Sequence, residues 1–131
     1  MQIISEMVTH PFPNSKNIII NNSDGDDINI KCEYAKTPEE KITGILGMDS
    51  MCDDCGILFD VNGSTSYHMQ NVPFDLDMIF CDNEGKILDI INAKINDSNI
   101  SVPNNASHNI EVNNGFCKNN NINKGDFVYM S

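Results

Sequence analysis

Residues 67–87, YHMQNVPFDLDMIFCDNEGKI, set five polar side chains with chemical capacity into an otherwise apolar run: His68, Gln70, Asn71, Asp75 and Asp77. Side chains alternate along an extended strand, so Leu76, Met78 and Phe80 share one face while Asp75, Asp77, Ile79 and Cys81 share the other. Two carboxylates at i and i+2 stand about 7 Å apart, near enough to raise one another's pKa or to grip a cation with help from another ligand. His68, Gln70 and Asn71 come opposite them if the chain folds back at Val72 and Pro73. Carboxylates are seldom set among core residues without partners, so the run reads as a polar recess or as a solvated sheet edge with an Asx turn.

The other reactive residues select less. Cys52-Asp53-Asp54-Cys55 has the spacing that lets two thiolates share zinc or close a redox disulfide. It stands in one copy, and Cys32, Cys81, Cys117, His10, His68 and His108 contain no second tight pair to complete a zinc site. The two aspartates disfavour thiolate, so the segment reads as an ordinary turn whose cysteines share no task, and no metal is assigned. Pairing Cys81 or Cys117 with His68 or His108 gives Cys–His nucleophile pairs, but no spacing singles one out. SDGDD lacks the ligand register and closing Glu of an EF-hand, and phosphate-binding glycine loops, GxSxG elbows and paired-histidine metal motifs are absent. No catalytic residue and no cofactor follow from these motifs.

The charge balance narrows the partners. Eight Lys+Arg against nineteen Asp+Glu give a formal net charge of −11, which argues against a basic face for nucleic acid or anionic membrane. All the basic residues are Lys, so no guanidinium fork is available for phosphate or carboxylate. The expected partners are a small polar ligand or a protein, with no nucleic acid and no membrane. Five cysteines, an odd number, do not make a complete disulfide framework and fit a reducing compartment. With no secretory leader in MQIISEMVTHPFPNSK and no run long enough to cross a bilayer, the expected location is the cytoplasm. Abundant Asn and Lys without Arg or Trp is the bias of an AT-rich genome, cellular or viral.

The elements that must position these residues are short and mostly extended. Residues 1–17 read as an N-terminal extension and 18–131 as one β domain. INIKCEYAK alternates cleanly, with Ile28, Ile30, Cys32 and Tyr34 on one face and Asn29, Lys31 and Glu33 on the other. TPEEKITGILG predicts a short α-helix near residues 38–46: Thr37 can cap, Pro38 suits the first helical position, and Glu40 completes a capping box. Further strands are expected at 18–20, 56–61, 64–70, 76–81, 86–93, 107–112 and 126–130, with a hairpin at Asp82–Gly85 and a long exposed loop at NDSNISVPNN. Many short strands with one helix predict a mainly β fold, a compact antiparallel sandwich or barrel.

Taken in order, AKTPEEKITGIL, CGILFDV, YHMQNVPFDLDMIFCDNEGKI, HNIEVNNG and INKGDFV resemble the domain of unknown function 192 family across about residues 18–128. In the family's central motif, Met69, Asn71, Leu76, Asp77, Phe80, Asp82 and Gly85 match. Gln70 stands where Lys is usual, Val72 for Thr, Asp75 for Pro, and His68 where Trp is common. The resemblance implies a compact, mostly antiparallel β domain and no known activity. It singles out Asn71 and Asp77 as a pair, because an Asn amide that donates and accepts can orient a carboxylate toward a ligand. Gly125 and Asp126 match a terminal Gly-Asp expected to tie a turn.

The reading that follows is a small non-catalytic accessory or binding domain with a recess around Asn71 and Asp77, flanked by His68, Gln70 and Asp75. A saccharide suits such groups better than a phosphorylated ligand. The alternatives are a hydrolase or lyase using Asp77 as base or metal ligand with Asp75 or His68 assisting, and an acidic module for a basic protein.

Overall fold

The computed structural model describes residues 15–35, 50–70 and 72–130. The helix expected at 38–46 and the side chain of Asn71 lie outside them. The strands are β1 (Ser15–Asn21), β2 (Asp27–Ala35), β3 (Cys55–Asp60), β4 (Ser66–Tyr67), β5 (Leu76–Cys81), β6 (Ile87–Ala93), β7 (Ile100–Ser101), β8 (His108–Asn113) and β9 (Phe127–Met130), with helix α1 (Phe116–Asn119) between β8 and β9. Seven strands form one sheet in the order β6-β5-β8-β3-β2-β1-β9, and β4 pairs with β7 in a second, two-stranded sheet.

The fold is mainly β, as the strand pattern predicts, and every pairing is antiparallel except β2 with β3. The β5–β6 hairpin forms at the expected turn. Asp82 Oδ1 accepts from the backbone N–H groups of Glu84 and Lys86 (2.9 and 3.0 Å), and Gly85 takes φ 92°, where a side chain would be strained. A Cβ on Gly85 would also sit 2.2 Å from the Val128 carbonyl oxygen. That close approach joins the two ends of the strand order: Val128 N donates to Gly85 O (2.8 Å) and Ile87 N to Asp126 O (2.8 Å). Only the corner Lys86↔Phe127 bridges, so the sheet curls without closing into a barrel.

Apolar residues cover the inner face of the sheet and, on the outer face, β3 and β5, whereas Phe127 and Tyr129 of β9 stay exposed. On the inner face of the curl, Ile18, Ile20, Ile30, Cys32, Leu58, Ile79, Ile110 and Val128 pack together. On the outer face, Ile57, Phe59, Leu76, Met78 and Phe80 pack with Met69 and with Ile100 of the small sheet. Tyr67 of β4 stacks obliquely on Phe80, ring centroids 5.7 Å apart. The segment expected to be an exposed loop, 96–105, therefore contains β7, because Ile100 is a buried apolar anchor. Burial on both faces accounts for β5, whose six residues are all buried although Asp77 interrupts the apolar run.

Candidate functional site

Asp77 sits near the start of β5 with its side chain on the inner face, 1% exposed. Its partners come from two distant segments. Oδ1 accepts from the Asn92 amide of β6 (2.7 Å), and Oδ2 accepts from the backbone N–H groups of Gly115 and Cys117 (3.2 and 3.1 Å). Antiparallel register sets Asn92 directly across from Asp77, and β8 delivers its C-terminal turn beside the same carboxylate. The turn needs this acceptor: Gly115 takes φ 92° and leads into a four-residue helix whose first N–H groups have no intrahelical partner. Burial pushes the Cys117 thiol far above its usual range, with the neighbouring Asp77 carboxylate adding to the shift.

Above Asp77 lies a groove of about 450 Å³, walled by Asn92, Lys94, Asn114, Lys118, Asn123 and Lys124. Lys94 Nζ is 3.8 Å from Asp75, and Lys124 Nζ is 3.4 Å from Asp89. Asp75 also accepts from Ile95 N (2.8 Å), so it fastens the turn after β6 at the rim of the groove. Asp126 accepts from Asn123 N (2.8 Å) and from the Ser23 hydroxyl (3.1 Å), the turn-tying contacts expected of the terminal Gly-Asp.

His68 and Gln70 lie elsewhere. They flank Met69, which is buried in the outer layer, and line a separate depression of about 480 Å³ with Tyr67 and residues 96–99. His68 Nδ1 accepts from the Gln70 backbone N–H (3.1 Å). The sheet thus separates His68 and Gln70 from Asp77, and brings Asp75 to the Asp77 side through Lys94. Strand alternation, which aims Asp77 inward and Met78 outward, is the reason.

Two further polar groupings escape the sequence pattern. On β8, Asn109 and Glu111 are both 0% exposed, and the Asn109 amide donates to Glu111 Oε2 (2.8 Å). They alternate with Ile110 and Val112 and are nonetheless buried, because β8 runs between β5 and β3 and is covered on both sides. Tyr67 feels Glu111: burial, then the Glu111 and Asp60 charges, push its phenol up to about 12. At the end of β3, Asp60 accepts from the Tyr34 hydroxyl and lies 3.2 Å from His108 Nε2. The hydrogen bond to Asp60 holds the Tyr34 phenol above its ordinary value. Cys81 opposes His108 across β5 and β8, but burial, with Asp82 adding, raises its thiol to about 12, so this pair supplies no thiolate nucleophile at neutral pH.

Comparison with family models gives one match over residues 19–130, to the domain of unknown function 192 family, described as "Uncharacterized ACR". The chain belongs to that family. Two solved structures share the architecture. A candidate transcription regulator of Sinorhizobium meliloti 1021 superposes with a TM-score of 0.76 at 26% identity, covering 88% of this chain and 93% of that one. A protein of unknown function from Novosphingobium aromaticivorans DSM 12444 gives 0.77 at 23% identity, covering 92% and 90%. Comparison with curated proteins returns no match. For this member of the domain of unknown function 192 family, the motif position Asp77 is thus a buried acceptor that joins β5, β6 and the turn after β8.

Among the described residues, no helix is long and apolar enough to cross a membrane. The sequence signal for the groove was present but dispersed. Asn92 falls in an expected strand, Asn114 and the KNNNINK stretch at 118–124 read as turn residues, and only the fold collects them around one carboxylate.

Proposed function

We propose that this chain is a non-catalytic binding domain that holds a small polar ligand of saccharide type in the groove above Asp77. The observation that carries this reading is the groove's chemistry: amides from Asn92, Asn114 and Asn123, which donate and accept, are interleaved with ammonium groups. Such walls match the mixed donors and acceptors of sugar hydroxyls. Asp77 serves the site as an organiser, since both its oxygens are engaged by the groove's own walls; a general base needs a free oxygen at the substrate. Asp75 steadies Lys94 at the rim. A regulatory role of the kind named for the Sinorhizobium relative would act here through the ligand or a protein contact, given the acidic surface.

The test is calorimetric titration of the full chain with neutral hexoses, disaccharides and sugar acids. Saturable heat with wild type that is lost in Asn114→Ala and Lys118→Ala, both at exposed positions, supports the proposal. Heat unchanged in both variants, or absent for every sugar, overturns it.

A further inference from the structure

We propose that Cys52 and Cys55 form a redox-active dithiol–disulfide couple that exchanges with small-molecule disulfides of the glutathione type, with Cys52 as the sulfur that meets the reagent. This inference is independent of the groove. The structure joins the two sulfurs, departing from the unconnected cysteines expected of an ordinary turn, and the Cα atoms stand 5.1 Å apart, within the range a disulfide spans.

The surrounding turn is fixed by contacts other than that bond. Cys55 N donates to Cys52 O (3.0 Å), closing the turn, and Lys31 N donates to Asp54 O (2.7 Å). The Asn113 side chain clasps Met51 from both sides, accepting from its N–H (2.9 Å) and donating to its carbonyl (2.8 Å). A bond between residues three apart closes only a small loop and restricts the unfolded chain little, so it is a poor structural staple. The two sulfurs can therefore part or join without dismantling the sheet.

Access distinguishes the partners. Cys52 is half-buried, whereas Cys55 is 3% exposed at the start of β3. The other cysteines, Cys32, Cys81 and Cys117, are buried free thiols, so the tight pair alone combines a reachable sulfur with a resolving one. In oxidation, the Cys52 thiolate attacks one sulfur of R–S–S–R, forming a mixed disulfide and releasing R–S⁻, which takes up a proton. The Cys55 thiol then loses its proton to water and attacks the Cys52 sulfur; the Cys52–Cys55 bond forms and the second R–S⁻ leaves and is protonated. Two protein thiols are oxidised and one small disulfide is reduced to two thiols. Asp54 Oδ1, 3.7 Å from the Cys52 sulfur, disfavours the attacking thiolate and slows the first step.

The test uses the reduced full chain, oxidised glutathione, quenching with an alkylating agent under denaturing conditions so that the buried thiols react, and peptide mapping by mass spectrometry. The expected result is a Cys52–Cys55 linkage with the other three of the five cysteines alkylated. Cys55→Ser should trap a glutathione adduct on Cys52, Cys52→Ser should trap none, and Asp54→Asn should oxidise faster. Five alkylated cysteines after treatment, or an adduct on Cys55 in Cys52→Ser, overturns the proposal. Cys52, Asp54 and Cys55 also place three ligand atoms within 4.8 Å of one another. Stoichiometric zinc in the reduced protein that blocks the oxidation would replace the redox couple with a metal knuckle. Wild-type mapping decides the linkage even where a variant fails to fold.

Discussion

The two faces of the seven-stranded sheet each bury a carboxylate, and they accommodate it differently. On the inner face, Asp77 lies near the start of its strand and is wrapped by the Asn92 amide of β6 and by two backbone N–H groups from a turn that it organises. On the outer face, Glu111 lies within β8 under the Phe and Met layer, with the Asn109 amide from its own strand on one oxygen. The first arrangement opens onto a polar groove, whereas the second is sealed among side chains such as Met78 and Phe80. A buried carboxylate is therefore no guide to a site unless its partners belong to walls that solvent can reach.

Removing the acceptor on the inner face should break the comparison most severely. Asp77→Ala orphans three donors and is expected to cost about 3–5 kcal/mol in urea unfolding, with loss of the turn at 114–117. Asp77→Asn keeps one acceptor oxygen and presents an amide to the remaining donors, so an intermediate loss is expected; a negligible loss in Asp77→Asn would mean that side-chain volume rather than hydrogen bonding is what matters. On the outer face, Asn109→Ala removes the donor to Glu111 and should cost about 1–3 kcal/mol without altering groove binding. A change in groove affinity would show that the two faces are coupled.

Alkaline titration separates the layers next. Burial lifts the Cys32 and Cys81 thiols of the inner layer to about 12, from an ordinary value of 9.0. A raised folded-state pKa means that the native protein keeps protons the unfolded chain has released. The stability from these thiols is complete below pH 9 and falls as pH rises from 9 to 12, by on the order of 1 kcal/mol per unit for each thiol. Tyr67 in the outer layer, raised from 10.0 to about 12, begins its loss only above pH 10. Unfolding measured at pH 8, 9.5 and 10.5 should therefore decline before Tyr67 contributes, and Cys81→Ala should flatten the early part of the decline.

The smallest effect is expected at the depression that shares the motif but not the groove. His68→Ala and Gln70→Ala, at exposed positions, should change stability by no more than about 0.5 kcal/mol and leave groove binding intact. Asp75→Ala, which loses Ile95 N and an exposed contact with Lys94, should fall between these and Asp77→Ala. Groove affinity that dropped in His68→Ala would reunite what the sheet separates.

Local sequence pattern specifies most of the strands, the β5–β6 hairpin and the shared face of Leu76, Met78 and Phe80. These follow from period-two alternation and turn chemistry, which act over a few residues. Local pattern also marked Asp77, but it grouped that residue with His68 and Gln70, because nearness along the chain carries no information about which face of a sheet a side chain meets. The tertiary structure decided the rest. It buried Asn109 and Glu111 by placing β8 in the interior of the sheet between β5 and β3, and it found a strand in the loop at 96–105 by giving Ile100 a core to enter. It gathered Asn92, Asn114 and three lysines around one carboxylate through strand pairings between residues far apart in sequence. Those pairings depend on which strands become neighbours, a choice made by burying both faces of the sheet at once, and no single segment encodes it.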